Sequence, residues 1–165
     1  MPTPQSTTNN PVYLRAAVLG FAAGLRSQMP LALVVAAIGR DQLAADATGP
    51  LSFLRTRVAR LGFGAAAIGE VIADKTPFVP DRTNPGPFAG RLFFGGLTGA
   101  LFARGKGASV PTGFALGATT AGLGTLAGYQ FRTTLTRETG LPDPIFAVAE
   151  DLLAFATAYL ALDDR

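Results

Sequence analysis

The sequence predicts an all-α fold: a polytopic transmembrane helical bundle of about five membrane helices, joined along glycine-rich packing seams. Three observations carry this. The 165-residue chain is 48% hydrophobic and 15% charged, with a mean hydropathy of +0.33, whereas soluble domains carry about 25% charged residues. Its 20 glycines would weaken a soluble bundle, but membrane helices tolerate them because close packing replaces the hydrophobic drive. Ionisable residues nevertheless interrupt the apolar stretches. At membrane depth such groups face a bundle interior or a watery cavity and mark a pathway or a pairing network.

Residues 1–11 are polar and proline-containing and read as a disordered tail before one transmembrane domain, residues 12–165. The tail lacks the basic start of a secretory signal, so the first apolar stretch is expected to stay as a membrane helix. That stretch, Val12 to Ile38, is interrupted by Arg26 and Pro30. At 27 residues it is long enough to kink or break near Pro30, because proline removes a backbone bond from a helix. Breaks of that kind survive in a bilayer only where protein or water covers the freed carbonyls. Four spans with a re-entrant piece is therefore the rival topology.

A polar loop, Gly39 to Pro50, leads to Leu51–Arg60. There Leu51, Leu54 and Val58 share a face away from Arg55, Arg57 and Arg60. The pattern suits an interfacial amphipathic helix or an extension of the second span. The second span covers Leu61 to Val79, the third Pro87 to Phe102, the fourth Val110 to Arg132 and the fifth Pro144 to Leu162. With Arg40, Arg104 and Lys106 beside the basic segment, the positive-inside tendency puts that face in the cytoplasm. Five spans then place the N-terminus outside and the C-terminus inside. Arg15, Arg82 and Arg137 fall on the opposite face.

The fourth span carries Gly113, Gly117, Ala121, Gly124 and Gly128 on one side, the first has Gly20 and Gly24, and the third Gly95 and Gly99. Small residues at this spacing let backbones approach closely. They predict seams within the protomer or at a homodimer interface. A phosphate-binding loop is disfavoured, since no strand-loop-helix context and no GK[ST] motif accompany the glycines.

Several chemistries are excluded. The chain has no Cys and no His, which removes thiolate nucleophiles, disulfides, zinc-thiolate sites and the usual neutral-pH acid/base group. Neither a cofactor, a metal nor enzyme activity is expected. The net charge of +3 is spread over short loops, so no nucleic-acid partner is expected. The expected partners are the lipid bilayer, a second copy, and an ion or small polar solute.

The candidate site is the set of ionisable residues that five spans bring to one leaflet: Arg26, Glu70, Asp74, Arg91, Arg132, Asp143, Glu150 and Asp151, with Lys75 nearby. At ~1.5 Å rise per residue, Glu150 lies roughly 9 Å inside its span and Glu70 roughly 13 Å from the end of its own. Glu70 and Asp74 are four apart and share a helix face. Two readings stay open. A salt-bridge network accounts for the near cancellation of charge, while a polar vestibule for an ion or solute accounts for the depth of so many ionisable groups. The similar arrangements Gly20-x3-Gly24-x-Arg26 and Gly124-x3-Gly128-x3-Arg132, which differ in the arginine spacing, also raise an inverted repeat, as in many transporters. The proline positions around the acids of the second and fifth spans argue against it.

The segments GFAAGLRSQMPLAL, GEVIADKTPFVPDRT, AGRLFFGGLTGAL, GYQFRTTL and LPDPIFAVAEDLLA together resemble a family of small bacterial integral-membrane proteins known only as a domain of unknown function. The resemblance covers nearly the whole chain after Pro11. It implies a multi-pass protein of the bacterial inner membrane, with no established activity, substrate or catalytic residue. The expected function is transporter or channel-like, with a structural or lipid-interacting role as the alternative.

Overall fold

The computed structural model describes residues 10–44, 49, 51–73 and 83–163, with the side chain of Asp143 outside that description. Within these residues the chain is all-α: α1 (Asn10–Leu25), α2 (Gln28–Ile38), a 3₁₀ turn (Ser52–Arg55), α3 (Arg57–Ala73), α4 (Pro85–Gly105), α5 (Val110–Thr139) and α6 (Asp143–Leu162). Asn10 and Pro11, expected in the tail, open α1. The fourth predicted span runs on past Arg132 to Thr139. Nothing in that stretch breaks a helix until Gly140, whose φ of 68° ends it in the left-handed cap that glycine adopts without strain.

The first predicted span, expected to kink or break near Pro30, is broken into two helices. Pro30 falls at the third position of α2. A proline ring clashes with the carbonyl four residues back, here that of Arg26, so a helix cannot run through this point. The break takes Arg26 and Ser27.

At this break the chain turns back on itself and does not merely kink. α1 and α5 run parallel: the Ser109 N–H donates to the Tyr13 hydroxyl (3.2 Å) near their starts, and further along Gly20 abuts Gly117 and Gly24 abuts Ala121. α4 runs opposite to both, so Gly105 lies beside the start of α1, where Lys106 lines a cavity with Pro11 and Val12. The chain after α2 comes back to this same place, since the Ala44 N–H donates to the Gly105 carbonyl (3.2 Å). α1 and α2 therefore form a helical hairpin, with its foot at Asn10 and Arg40 and its tip at Arg26–Ser27. By its rise, α1 climbs about 24 Å and α2 descends about 16 Å.

The other helices take their direction from the hairpin. α3 climbs beside α2, from Arg60 against Gly39 to Glu70 at the tip. α6 descends from Asp151 at the tip to Asp163, which lines a cavity with Ala37 and Arg40. Asn10 and Asp163 thus share the foot, which corrects the expectation that the two termini lie on opposite faces. Arg15 also joins the foot, beside Lys106. The parallel course of α1 and α5 is the reverse of what an inverted repeat requires, and that reading is withdrawn.

The predicted amphipathic helix over residues 51–60 is not one helix. It is split at Thr56, whose extended backbone (ψ 152°) ends the 3₁₀ turn. The Thr56 hydroxyl donates to the Phe53 carbonyl (2.6 Å) and accepts the Ala59 N–H (3.1 Å), so it caps α3.

The glycine seams are internal. A Cβ on Gly20, Gly24, Gly95, Gly99, Gly113, Gly117 or Gly124 would run into backbone of a facing helix within the chain. Three helices, α1, α4 and α5, pack backbone to backbone along these stripes. The large apolar side chains lie elsewhere. Leu19, Leu31, Val34, Val35 and Phe102 are fully buried, while Leu14, Val58, Leu61, Ile68, Leu152 and Leu160 are each more than half exposed.

Among the described residues one helix, from Pro144 to Leu162, is long and apolar enough to cross a membrane by length and composition. The hairpin divides the first apolar stretch into pieces of 16 and 11 residues, each short of a full span. α4 and α5 have the length, but Arg, Thr and Gly dilute their hydropathy.

Candidate functional site

An interrupted helix leaves orphan carbonyls at one end and orphan N–H groups at the other. The tip of the hairpin has both, buried at the end of α1 and half-buried at the start of α2. The chain meets them with side chains from three other helices.

The open end of α1 is covered by Arg91 of α4. Its Nη1 donates to the carbonyls of Gly24 and Leu25, each at 2.9 Å. The Thr125 hydroxyl, from α5, lies 3.1 Å from the Gly24 carbonyl and 2.8 Å from its own Ala121 carbonyl, and shares its proton between them. The open end of α2 is covered by Glu70 of α3. Glu70 accepts the Ser27 N–H (2.9 Å), the Ser27 hydroxyl (2.7 Å) and the Gln28 N–H (2.7 Å). Ser27 stands at the N-cap position of α2 but makes no cap bond of its own. Its hydroxyl instead helps to hold the carboxylate that does the capping.

The signs match the helix dipoles. A guanidinium sits at the negative end of α1 and a carboxylate at the positive end of α2, the favourable choice at each. Arg91 and Glu70 are themselves 3.8 Å apart.

Arg26, between the two helix ends, is fully buried and pairs through Nε with Asp151 of α6. The neighbouring Glu150, 1% exposed, faces Arg132 of α5 at 3.6 Å. Successive residues on a helix point about 100° apart, so one acidic dipeptide reaches two different helices. Arg132, Glu150, Asp151, Arg26, Glu70 and Arg91 thus form a charged layer at the level of the tip.

Six of the eight predicted site residues meet here. Asp74 and Lys75 lie outside the described residues, as does the side chain of Asp143. The pairing pattern differs in one respect from the expectation. A salt-bridge network makes Arg91 and Glu70 partners of charged side chains, and beside that ion pair both also bond to main-chain groups of the break. Sequence reasoning missed Ser27 and Thr125. A serine three residues before a proline is a helix-start signal that would have found the first. Thr125, one hydroxyl inside a glycine stripe, carries no such signal.

A cavity of about 240 Å³ opens beside the tip, lined by Ser27, Glu70, Ala73, Pro87, Gly90, Arg91 and Phe94. Its lining combines a hydroxyl, a carboxylate and a guanidinium with small or apolar groups.

No curated protein and no solved structure matches the chain. Residues 14–163 match a domain of unknown function, DUF4126, and that stretch holds the whole hairpin tip and every residue that caps it. With nearly its full length matched, this chain belongs to the DUF4126 family.

Proposed function

We propose that this is a multi-pass inner-membrane protein in which α1 and α2 form a re-entrant hairpin and the polar tip receives an ion or small polar solute for transport or channel-like passage. The distribution of side chains supports the membrane reading. Arg26, Glu150 and Arg91 are buried while Ile68, Leu152 and Leu160 are exposed, an arrangement that water penalises and lipid favours. The foot gathers Arg15, Arg40, Arg55, Arg57, Arg104 and Lys106, which the positive-inside tendency puts in the cytoplasm.

One observation carries the site reading. The two ends of the broken helix are met by Glu70 and Arg91, and both side chains line a single cavity with Ser27. Non-helical backbone at membrane depth is tolerated where it is buried in protein or lines a water-filled space. Transporters place their solute sites at such half-helix ends.

A second reading, a dry network that only holds the bundle together, is favoured by the bonds that Glu70 and Arg91 already make to the backbone. Thiol accessibility separates the two. Ser27→Cys and Ala73→Cys, in a chain with no native cysteine, would be probed with a membrane-impermeant reagent from each side. Labelling from one side supports a watered site, and flux measurements with candidate ions come next. Folded protein that labels from neither side leaves only the structural reading.

A homodimer would have to avoid the seams already filled. α3 offers open glycines, Gly62, Gly64 and Gly69, with no facing atom within 4 Å among the described residues.

A further inference from the structure

At the foot, α2 and α6 enclose a second cavity, of about 360 Å³, lined in part by Leu33, Arg40, Gln42, Tyr159, Leu162 and Asp163. It lies well away from the hairpin tip. Along α6, Asp163 is 12 residues beyond Asp151, about 18 Å at helical rise. Asp163 is also the first residue past the Pro144–Leu162 stretch, the one long enough to cross a bilayer. If that stretch spans, this cavity opens at headgroup depth.

We infer that it is a binding site for a zwitterionic phospholipid bearing a primary ammonium, that is, a phosphoethanolamine headgroup. The lining has one group for each part of such a molecule. Arg40 is a cation with a planar set of donors suited to phosphate. Asp163 is a carboxylate that accepts N–H bonds, which a primary ammonium donates. Leu33 and Leu162 give an apolar wall for the glyceride and the upper acyl chains. Tyr159, half exposed, has the amphipathic ring that favours the membrane interface.

The alternatives fit less well. A headgroup with phosphate alone leaves Asp163 facing a like charge. A quaternary ammonium has no N–H to donate and is held by cages of several aromatic rings, whereas Tyr159 is the one aromatic among the described lining residues. A soluble phosphoethanolamine would leave the leucine wall uncovered.

The inference rests on the membrane reading above but not on the solute site. The full-length protein would first be extracted from membranes with alkaline carbonate. Release by carbonate overturns the membrane reading itself. Protein that stays in the membrane is then purified in detergent, and lipid retention is measured by native mass spectrometry with equimolar phosphatidylethanolamine, phosphatidylglycerol and phosphatidylcholine.

The expected result is preference for phosphatidylethanolamine over the other two by about tenfold, the value of one charge-assisted hydrogen bond. Asp163→Asn should abolish that preference and raise the relative retention of phosphatidylglycerol. Arg40→Gln, which removes the cation facing the phosphate common to the three, should lower retention of all three phospholipids. Arg15→Gln, in a different cavity, should change neither. Because the Asp163→Asn readout is a ratio within one variant, altered stability does not imitate it. Equal retention of the three lipids overturns the inference. So does an unchanged ratio in Asp163→Asn, or competition by soluble phosphoethanolamine as strong as by the lipid.

Discussion

Glu70 and Arg91 stand 3.8 Å apart across the break between α1 and α2, each capping the helix end that complements its charge. They come from the helices on either side of one connection, α3 and α4. Their mutual attraction is a by-product of where the two helix ends lie. The main task of each is to satisfy backbone groups that would otherwise be buried alone.

That division of labour predicts different outcomes for different substitutions at Glu70. Glu70→Gln keeps one acceptor oxygen where the Ser27 and Gln28 amides use two, Oε1 and Oε2, so one amide loses its acceptor and the variant should cost about 1–2 kcal/mol. Glu70→Ala leaves both amides without an acceptor and should cost about 2–4 kcal/mol. Thermal unfolding in detergent would show the ordering. Equal losses in the two variants would mean that charge matters and capping does not.

The Arg26–Asp151 pair should show strong coupling. Removing either partner strips the other of its counter-charge at a buried site, so Arg26→Met or Asp151→Asn alone should cost about 3–5 kcal/mol, with the double variant recovering much of it. A double-mutant cycle on unfolding free energy checks this. Additive losses would show that each residue is held by other partners.

The seams predict opposite effects of one substitution at two sites. In Gly24→Ala the new methyl meets the Ala121 carbonyl and the Thr125 amide of α5, and overpacking of this kind costs about 1–3 kcal/mol or more. In Gly62→Ala the methyl meets nothing, and helix propensity alone should add up to about 1 kcal/mol. Stability measurements on the pair would expose an α3 interface if Gly62→Ala instead destabilised or dissociated the protein.

The hairpin makes a topological prediction. Single cysteines at Pro11 and Gln42, both exposed at the foot, should label from one side of the membrane, and one at Thr139 from the other. A kinked span would put Pro11 and Gln42 on opposite sides. Labelling of the two from different faces is the result that the hairpin forbids.

Much of this was legible in the sequence, and the gaps have physical causes. Glycine spacing identifies the seams, because an atom that is missing from one helix face leaves a pattern in the chain. Charge inside apolar runs identifies Arg26, Glu70, Arg91, Arg132, Glu150 and Asp151, since burial of such groups is costly enough to be rare. Direction is not legible. Hydropathy is the same for a helix that continues and one that turns back, so Val12 to Ile38 shows a break near Pro30 but not whether the chain kinks there or returns. Only the bonds that join Tyr13 and Ala44 to distant backbone show that the chain returns. Nor is the identity of the partners legible, because Glu70 and Arg91 serve main-chain groups, which every residue carries.

The hairpin is made early and completed late. Arg26 leaves the ribosome 125 residues ahead of Asp151, a delay of about 6–25 s at ~5–20 residues per second. During that interval the tip has none of its later companions: Glu70 arrives next, then Arg91, then Thr125, then the acidic dipeptide. A nascent chain halted before α6 would carry a cation at the tip with no counter-charge from that helix. The hairpin, made ahead of the helices that complete it, is therefore the last to reach its final form, and loss of α6 should be felt at its tip.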